Sequence, residues 1–330
     1  MTVLDDQPSL MAPADQLGLV TDRLRELLLS GSIFDPVYRH ILTNAGKRVR
    51  AGLVLACSRL CPSAEAVPPA DALDIACAIE MFHEASLMHD DICDGSLLRR
   101  DTVSVPAAFG VRTAACAGFH LAGTAMAVAA RVLADNPSTF TRGGDAHGIT
   151  YLDQISDLSL GQLVEIMPPT LDDGALRRHY ELVAAAKTGT LFRLACSYGG
   201  MAGGVDRDGL RRLMRYADQL ALAFQIMDDV RDVEGGPNLG KDAGGDLDRR
   251  VPTWPVIEWL NTRSGARDMW LSEHTPAALL QDELLRSGAT QAARAVAFGA
   301  VDEARRALAE FAPTPARVHL DELLIRVISR

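Results

Sequence analysis

The chain has 330 residues, with 33 Lys+Arg against 43 Asp+Glu and a formal charge of −10. Apolar residues make up 48% and charged residues 23%, which is ordinary globular composition and excludes disorder and fibrous repeats. An acidic chain is poorly suited to hold nucleic-acid phosphates over a broad surface, so any basic site must be local.

Residues 1–12 carry Asp5 and Asp6, with neither a basic region nor an apolar stretch. They read as a mobile extension rather than a signal peptide. From residue 13 to 330 a single all-α domain is expected, because apolar residues recur at i, i+3, i+4 and i+7 nearly throughout. In chain order the expected helices are Leu17–Leu29, Ala51–Leu60, Ala70–Met88, Thr113–Leu133, Ile149–Ile166, Leu176–Ser197, Leu210–Val230, Thr290–Phe311 and Val318–Ile328. Strand alternation is nearly absent. Turns are expected at Gly143-Gly144, Gly199-Gly200, Gly203-Gly204 and Gly235-Gly236-Pro237. The longest apolar run, Leu121–Ala134, is broken by Arg131 and falls short of the roughly 20 residues of a membrane span. A soluble, cytoplasmic protein is therefore expected. Cys57, Cys61, Cys77, Cys93, Cys116 and Cys196 form no CxxC pair and read as buried thiols in a reducing compartment. Helices as alanine-rich as Ala114–Ala130 suit the centre of a bundle around a deep apolar cavity.

Two acidic clusters close two of these apolar helices. In His89-Asp90-Asp91-Ile92-Cys93-Asp94, Asp90 and Asp94 are four residues apart and share a helix face, about 6 Å between Cβ atoms. Like charges at that spacing repel unless a cation sits between them. Phe224-Gln225-Ile226-Met227-Asp228-Asp229-Val230-Arg231-Asp232 repeats the Asp-Asp-x-x-Asp pattern. Oxygen ligands without His or Cys favour Mg²⁺ over zinc, and neither cluster has the glycine and terminal glutamate of a calcium loop. Local cations stand near both clusters: Lys47, Arg48 and Arg50 at a helix start, Arg99-Arg100 after the first cluster, Lys187-Thr188 inside an apolar helix, and Lys241 after the second. Hard cations beside substrate anions point to diphosphate chemistry.

From Gly46 to Pro255 these motifs (GKRVR, EMFHEASLMHDDICD, LLRR, GQLVE, KTGTLF, FQIMDDVRD, GKDAGGD and PTWP) run in the order of the trans-isoprenyl diphosphate synthase (polyprenyl synthetase) family, which the chain resembles, its bacterial geranylgeranyl diphosphate synthases included. The resemblance implies an isoprenoid-synthase helical bundle, usually a homodimer. It implies a prenyltransferase that condenses isopentenyl diphosphate head-to-tail with an allylic diphosphate, using Mg²⁺ as three ions, with Mn²⁺ as an alternative. Matched to the motifs, Asp90, Asp94 and Asp228 would bind metal, and Asp91, Asp229 and Asp232 would support those ligands or bind through water. Arg99, Lys187, Thr188, Gln225 and Lys241 would hold the allylic diphosphate. Lys47, Arg50, His83 and Arg100 would hold that of isopentenyl diphosphate. Three positions depart from the family pattern: Asp101 replaces a glycine, His120 an aspartate and Val251 a lysine, with Arg249 and Arg250 nearby as substitutes. Phe192 and Phe224 are candidates for the cavity wall, beside the plainer role of core packing.

Ser86, Ala85 and Phe82 lie four, five and eight residues before Asp90, on roughly one helix face. Two small residues leave the pocket open, and Phe82, about 12 Å down the axis, is a candidate floor. That predicts geranylgeranyl diphosphate, with farnesyl or C25–C30 products as alternatives. A terpene cyclase would share the fold, yet its second metal motif reads differently from Asp228-Asp229-x-x-Asp232. A regulatory subunit that has lost catalysis would be expected to lose aspartates, and both clusters are intact. A less common coupling is kept open by the three departures.

Overall fold

The computed structural model describes residues 13–61, 69–140, 151–167, 172–235 and 245–329. The N-terminal extension, Gly143-Gly144, the first residues of the Ile149–Ile166 helix and Lys241 lie outside the described residues. In chain order the helices are α1 (Pro13–Leu28), α2 (Asp35–Thr43), α3 (Val49–Cys57), α4 (Ala70–Cys93), α5 (Val105–Phe109), α6 (Val111–Asp135), α7 (Tyr151–Glu165) and α8 (Asp173–Val183). A π-helical turn, Ala184–Gly189, leads into α9 (Thr190–Ala202). Then come α10 (Arg207–Glu234), α11 (Gly245–Asp248), α12 (Trp254–Thr262), α13 (Ala266–Leu271), α14 (Ala277–Ser287), α15 (Ala289–Ala309) and α16 (Pro315–Ile328). The all-α expectation holds, and the strands among the described residues are the two-residue β1 (Leu98–Arg99) and β2 (Thr102–Val103).

These residues group into two compact units, one of Met1–Ile149, Leu194–Met214 and Ala309–Leu320, the other of Thr150–Arg193, Arg215–Leu308 and Asp321–Arg330. In the first unit α4 packs on α3 and on α6, and Ile75 and Ile79 of α4 and Leu121 of α6 are buried almost completely. Each such side chain contributes about 1.5–3 kcal/mol relative to exposure. Helix α4 stops at the acidic cluster because Asp94 caps it and Gly95, at φ +63°, takes the left-handed conformation that ends helices. Helix α6 is 25 residues long, so by length and composition it could cross a membrane, longer than the broken apolar run implied. Its Ala114, Gly118, Leu121, Ala125 and Val128 are buried, while Phe119 is 80% exposed on the opposite face.

Two sequence expectations need correction. Gly199-Gly200 is not a turn but lies inside α9: a Cβ on Gly199 would lie 2.4 Å from the Val54 carbonyl oxygen, so glycine is there to let two backbones meet. None of the six cysteines is in a disulfide, but only Cys57, Cys77 and Cys196 are buried. Cys93 is exposed at the open end of α4, and Cys116 lies on the outward face of α6.

Candidate active site

The first acidic cluster divides its labour by helix geometry. Consecutive helical residues point about 100° apart, so Asp90 and Asp91 cannot share a face. Asp91 turns inward, 3% exposed, and accepts two hydrogen bonds from Arg99: one from Nε at 2.9 Å and a shorter one from Nη2. Asp90 is half-buried and Asp94 exposed. Arg99 is aimed by the β1–β2 ribbon, whose turn residues Arg100 and Asp101 have φ +54° and +61°. Two positive φ values make the two-residue turn that matches strand twist, normally built with glycine or asparagine. This is where Asp101 replaces the glycine.

Below Arg99 the other predicted cations converge. Arg100 Nη1 donates to Glu84 Oε1 at 2.9 Å and to the Asn44 carbonyl at 3.0 Å. A Cβ on Gly46 would lie 2.8 Å from that guanidinium, so the glycine of GKRVR makes room for it. Arg50 Nη1 donates to His83 Nε2 at 3.0 Å. An arginine can only donate, so Nε2 accepts and His83 is neutral. Burial, then Arg50, Arg100 and Arg99, hold its pKa well below the usual value. Burial likewise lowers the Arg50 guanidinium to about 10, against the pull of Glu80 and Glu84. Lys47 is exposed, just ahead of Arg48, which caps α3 at φ +48°. Within this unit the structure therefore gathers Arg50, His83 and Arg100, with Glu84 a member the sequence reading passed over although it follows His83 directly. Phe82 and Ala85 are buried at 8% and 2% exposure, and the half-buried Ser86 turns its hydroxyl back onto the His83 carbonyl at 2.7 Å. His120 shares a 2.6 Å hydrogen bond with the hydroxyl of Tyr38.

In the second unit the cluster on α10 sends two aspartates inward, Asp229 and Asp232. Asp229, 4% exposed, accepts from Tyr180 Oη at 2.6 Å, Gln225 Nε2 at 2.9 Å and the backbone N–H of Trp254 at 3.3 Å. The last bond places the carboxyl at the first turn of α12, where a negative charge is favoured, and gives PTWP its structural sense. Burial nevertheless pushes Asp229 up to about 8, against those donors. Asp228 is exposed, and the buried Asp232 accepts the Asp246 N–H at 3.3 Å. Gln225 also accepts from Thr188 Oγ1 at 2.8 Å, so Thr188, Gln225, Asp229 and Tyr180 form one chain of hydrogen bonds. Lys187 Nζ lies 2.5 Å from Glu165 Oε2 of GQLVE. Phe192 is fully buried and packs on Phe224 with ring centroids 5.8 Å apart.

The sequence reading missed Tyr180, Glu165 and Asp246. Tyr180 lies two helical turns before Lys187, and the other two sit in quoted motifs without a role. Of the two substitutes near Val251, Arg250 is committed elsewhere: it donates to the carbonyls of Ser272 and Thr275 and stacks on Trp270. Arg249 pairs with Asp246 at 2.6 Å, beside the cluster. Among the described residues no three His, Cys, Asp or Glu side chains form a ready metal cage. The exposed carboxylates of Asp94 and Asp228, near the inward-held Asp91 and Asp229 respectively, instead fit a hard cation that completes its shell with water and phosphate oxygens.

The comparisons with known proteins agree with this chemistry. Residues 32–281 match the polyprenyl synthetase family model. Over 298 residues the chain is 30% identical to a geranylgeranyl diphosphate synthase of Mycobacterium tuberculosis, covering 86% of this chain and 80% of that one. A decaprenyl diphosphate synthase from Rhodobacter capsulatus superposes with a TM-score of 0.82 at 26% identity, over 96% of both chains. A polyprenyl synthase from Caulobacter crescentus, complexed with calcium and isoprenyl diphosphate, superposes at 0.80 with 27% identity, over 96% of this chain and 94% of that one. An all-α scaffold carrying two aspartate motifs with arginine and lysine side chains near each is that of a prenyltransferase. The chain belongs to the polyprenyl synthetase family and is a trans-prenyl diphosphate synthase. Its relatives are named for products as different as geranylgeranyl and decaprenyl diphosphate, so membership fixes the reaction and leaves chain length open.

Proposed function

We propose that this enzyme makes geranylgeranyl diphosphate by successive head-to-tail additions of isopentenyl diphosphate, with Mg²⁺ held by Asp90, Asp94 and Asp228 and assisted by Asp91 and Asp232. The supporting observation is the order of side chains on α4: Ser86 and Ala85 are small, and the buried Phe82 lies eight residues, about 12 Å, before Asp90. When bound, Mg²⁺ neutralises the diphosphate oxygens so that the allylic C–O bond can ionise. Arg99, Lys187 and Lys241 hold the same diphosphate, while Thr188 and Gln225 orient it. Lys47, Arg50, His83 and Arg100 hold isopentenyl diphosphate, and neutral His83 leaves the guanidinium charges to the anion. The proton lost after coupling goes to the departed diphosphate, so no protein base is assigned. Apolar walls, for which Phe192 and Phe224 are the candidates, keep water from the carbocation.

The protein acts as a homodimer in this reading, in the cytoplasm. Support for the dimer comes from α6, whose outward face offers Cys116, Phe119, Gly123, Met126 and Ala130 in one apolar stripe. The deciding experiment supplies dimethylallyl, geranyl or farnesyl diphosphate with isopentenyl diphosphate and Mg²⁺, and resolves the dephosphorylated products by mass. A C20 alcohol from every primer is expected. A C15 stop or a longer ladder would overturn the chain-length assignment. Ala85→Phe is expected to shorten the product, and an unchanged product would remove this face of α4 from the chain channel.

A further inference from the structure

Lys187 and Thr188 ride on a π-turn, Ala184–Gly189, rather than on a regular helix. Such turns hold one residue more than an α-turn, are rare, and gather at functional positions. The extra residue disturbs the ladder of backbone hydrogen bonds, so carbonyls around it need donors from outside the helix. Arg193 supplies one. Its Nη2 donates to the Ala185 carbonyl and to Thr190 Oγ1, both at 3.0 Å. The other arms of the fork are pinned: Nε donates to Gln154 Oε1 at 3.1 Å and Nη1 to Asp218 Oδ1 at 3.1 Å. Acceptors from α7, the π-turn, α9 and α10 thus fix one planar guanidinium, only 14% exposed, in a geometry a lysine ammonium cannot copy.

Two glycines make this arrangement possible. A Cβ on Gly189 would lie 2.9 Å from Arg193 Nη1. A Cβ on Gly161 would lie 2.7 Å from Ala186 Cβ and 2.9 Å from the Lys187 nitrogen, so α7 touches the backbone of the π-turn directly. One turn further along α7, Glu165 meets Lys187 Nζ. The turn is therefore held on one side by α7 and on the other by Arg193, with Lys187 and Thr188 between.

We infer that Arg193 is a positioning residue for the allylic diphosphate: by clamping the π-turn it sets where Lys187 Nζ and Thr188 Oγ1 are presented. It acts through these groups and does not itself meet substrate. The inference rests on the reading of Lys187 as a diphosphate ligand.

The test is steady-state kinetics of the full-length enzyme with Mg²⁺, varying geranyl diphosphate at saturating isopentenyl diphosphate and then the reverse. Gly189→Ala is the sharper variant. It keeps every donor and improves helix propensity, yet its Cβ, 2.9 Å from Nη1, forces the planar fork to shift against its acceptors. Gly189→Ala and Arg193→Met are each expected to raise KM for geranyl diphosphate about tenfold, leaving KM for isopentenyl diphosphate within about twofold. Lys187→Ala is expected to raise the same KM, and Arg193→Met to add less in the Lys187→Ala background than in the wild type, the remainder being the share carried by Thr188. A geranyl diphosphate KM that both clamp variants leave unchanged, or a rise in both substrates' KM alike, would overturn the inference. Should Arg193→Met fail to fold, Gly189→Ala decides alone. An unchanged KM in Lys187→Ala would instead bring down the diphosphate reading and the inference with it.

Discussion

The two Asp-Asp-x-x-Asp motifs look interchangeable in sequence, but their inward aspartates are held by opposite means. Asp91 is neutralised by a cation, Arg99, through two hydrogen bonds. Asp229 is surrounded by neutral donors, the Tyr180 hydroxyl, the Gln225 amide and the Trp254 backbone, and burial pushes its carboxyl up to about 8. In both motifs adjacency separates the pair, with Asp91 and Asp229 buried, Asp90 half-buried and Asp228 exposed, because successive helical residues point about 100° apart. The lesson is that the doubled aspartate is an anchor and a ligand, not two ligands. Arg99 is shared between its anchor and a proposed substrate, whereas the Asp229 network binds elements of the protein to each other.

The largest expected effect follows from the outward residues. Asp90→Ala and Asp228→Ala should each lower kcat about 10³-fold, the scale of losing a preorganised charge-stabilising group. Single-turnover rates with Mg²⁺ measure this, and a near-wild-type rate in either variant would end that residue's role as a ligand. The inward pair should separate along different axes. In Asp229→Asn at least one of the surrounding donors loses its acceptor, which costs about 1–3 kcal/mol in urea unfolding. Asp91→Asn should cost less stability, because Arg99 is 25% exposed and can turn to water. Its loss should appear as a raised KM for the allylic diphosphate. Equal stability losses in the two variants would erase the distinction between the anchors.

Much of this was legible in the sequence because it is local. Heptad-like periodicity marks α4, α6 and α10 within a few residues of their ends, and the i, i+4 spacing alone puts Asp90 and Asp94 on one face. The short helices α2, α5, α11, α12, α13 and α14 were not legible: none is long enough for a period to stand out, and α2, α5 and α12 carry a proline at their second residue. The π-turn was equally hidden, since Leu176–Ser197 reads as one unbroken helix and the contacts around the extra residue, Gly161 against Ala186 and Arg193 against Gly189 and Ala185, are tertiary. Gly199 was misread for a related reason: a glycine in sequence signals a turn or a close approach, and only the distance to Val54 tells which. Glu84 and Tyr180 matter through partners far along the chain, which no window contains.

The comparison also predicts where acid acts. Neutral His83 accepts from Arg50, and its pKa lies well below the usual value. As pH falls through about 6.5 the unfolded chain gains a proton that the folded protein refuses, so this stability is intact above that pH and lost below it. The slope should approach about 1.4 kcal/mol per pH unit between pH 6.5 and the depressed pKa. His83→Gln keeps an acceptor for Arg50 and cannot charge. Its unfolding free energy, followed from pH 7 to 5, should fall less steeply than the wild type's by about one proton. Parallel curves would mean that His83 titrates normally.

The smallest effect concerns the ribbon that delivers Arg99 to Asp91. Arg100 and Asp101 both adopt positive φ, and a side chain there costs up to about 1–2 kcal/mol, less for aspartate, which tolerates the conformation. Arg100 cannot be relieved without losing its bonds to Glu84 and Asn44. Asp101 is exposed and can be changed alone. Asp101→Gly removes the strain but loosens the unfolded chain, and the two terms oppose each other. The expected balance is a gain of about 0.5 kcal/mol, with KM for the allylic diphosphate unchanged because Arg99 keeps its hold on Asp91. A clear loss of stability would show that the Asp101 carboxylate holds the turn. A shift in that KM would show that the turn residue, and not the Asp91 ion pair alone, sets the position of Arg99.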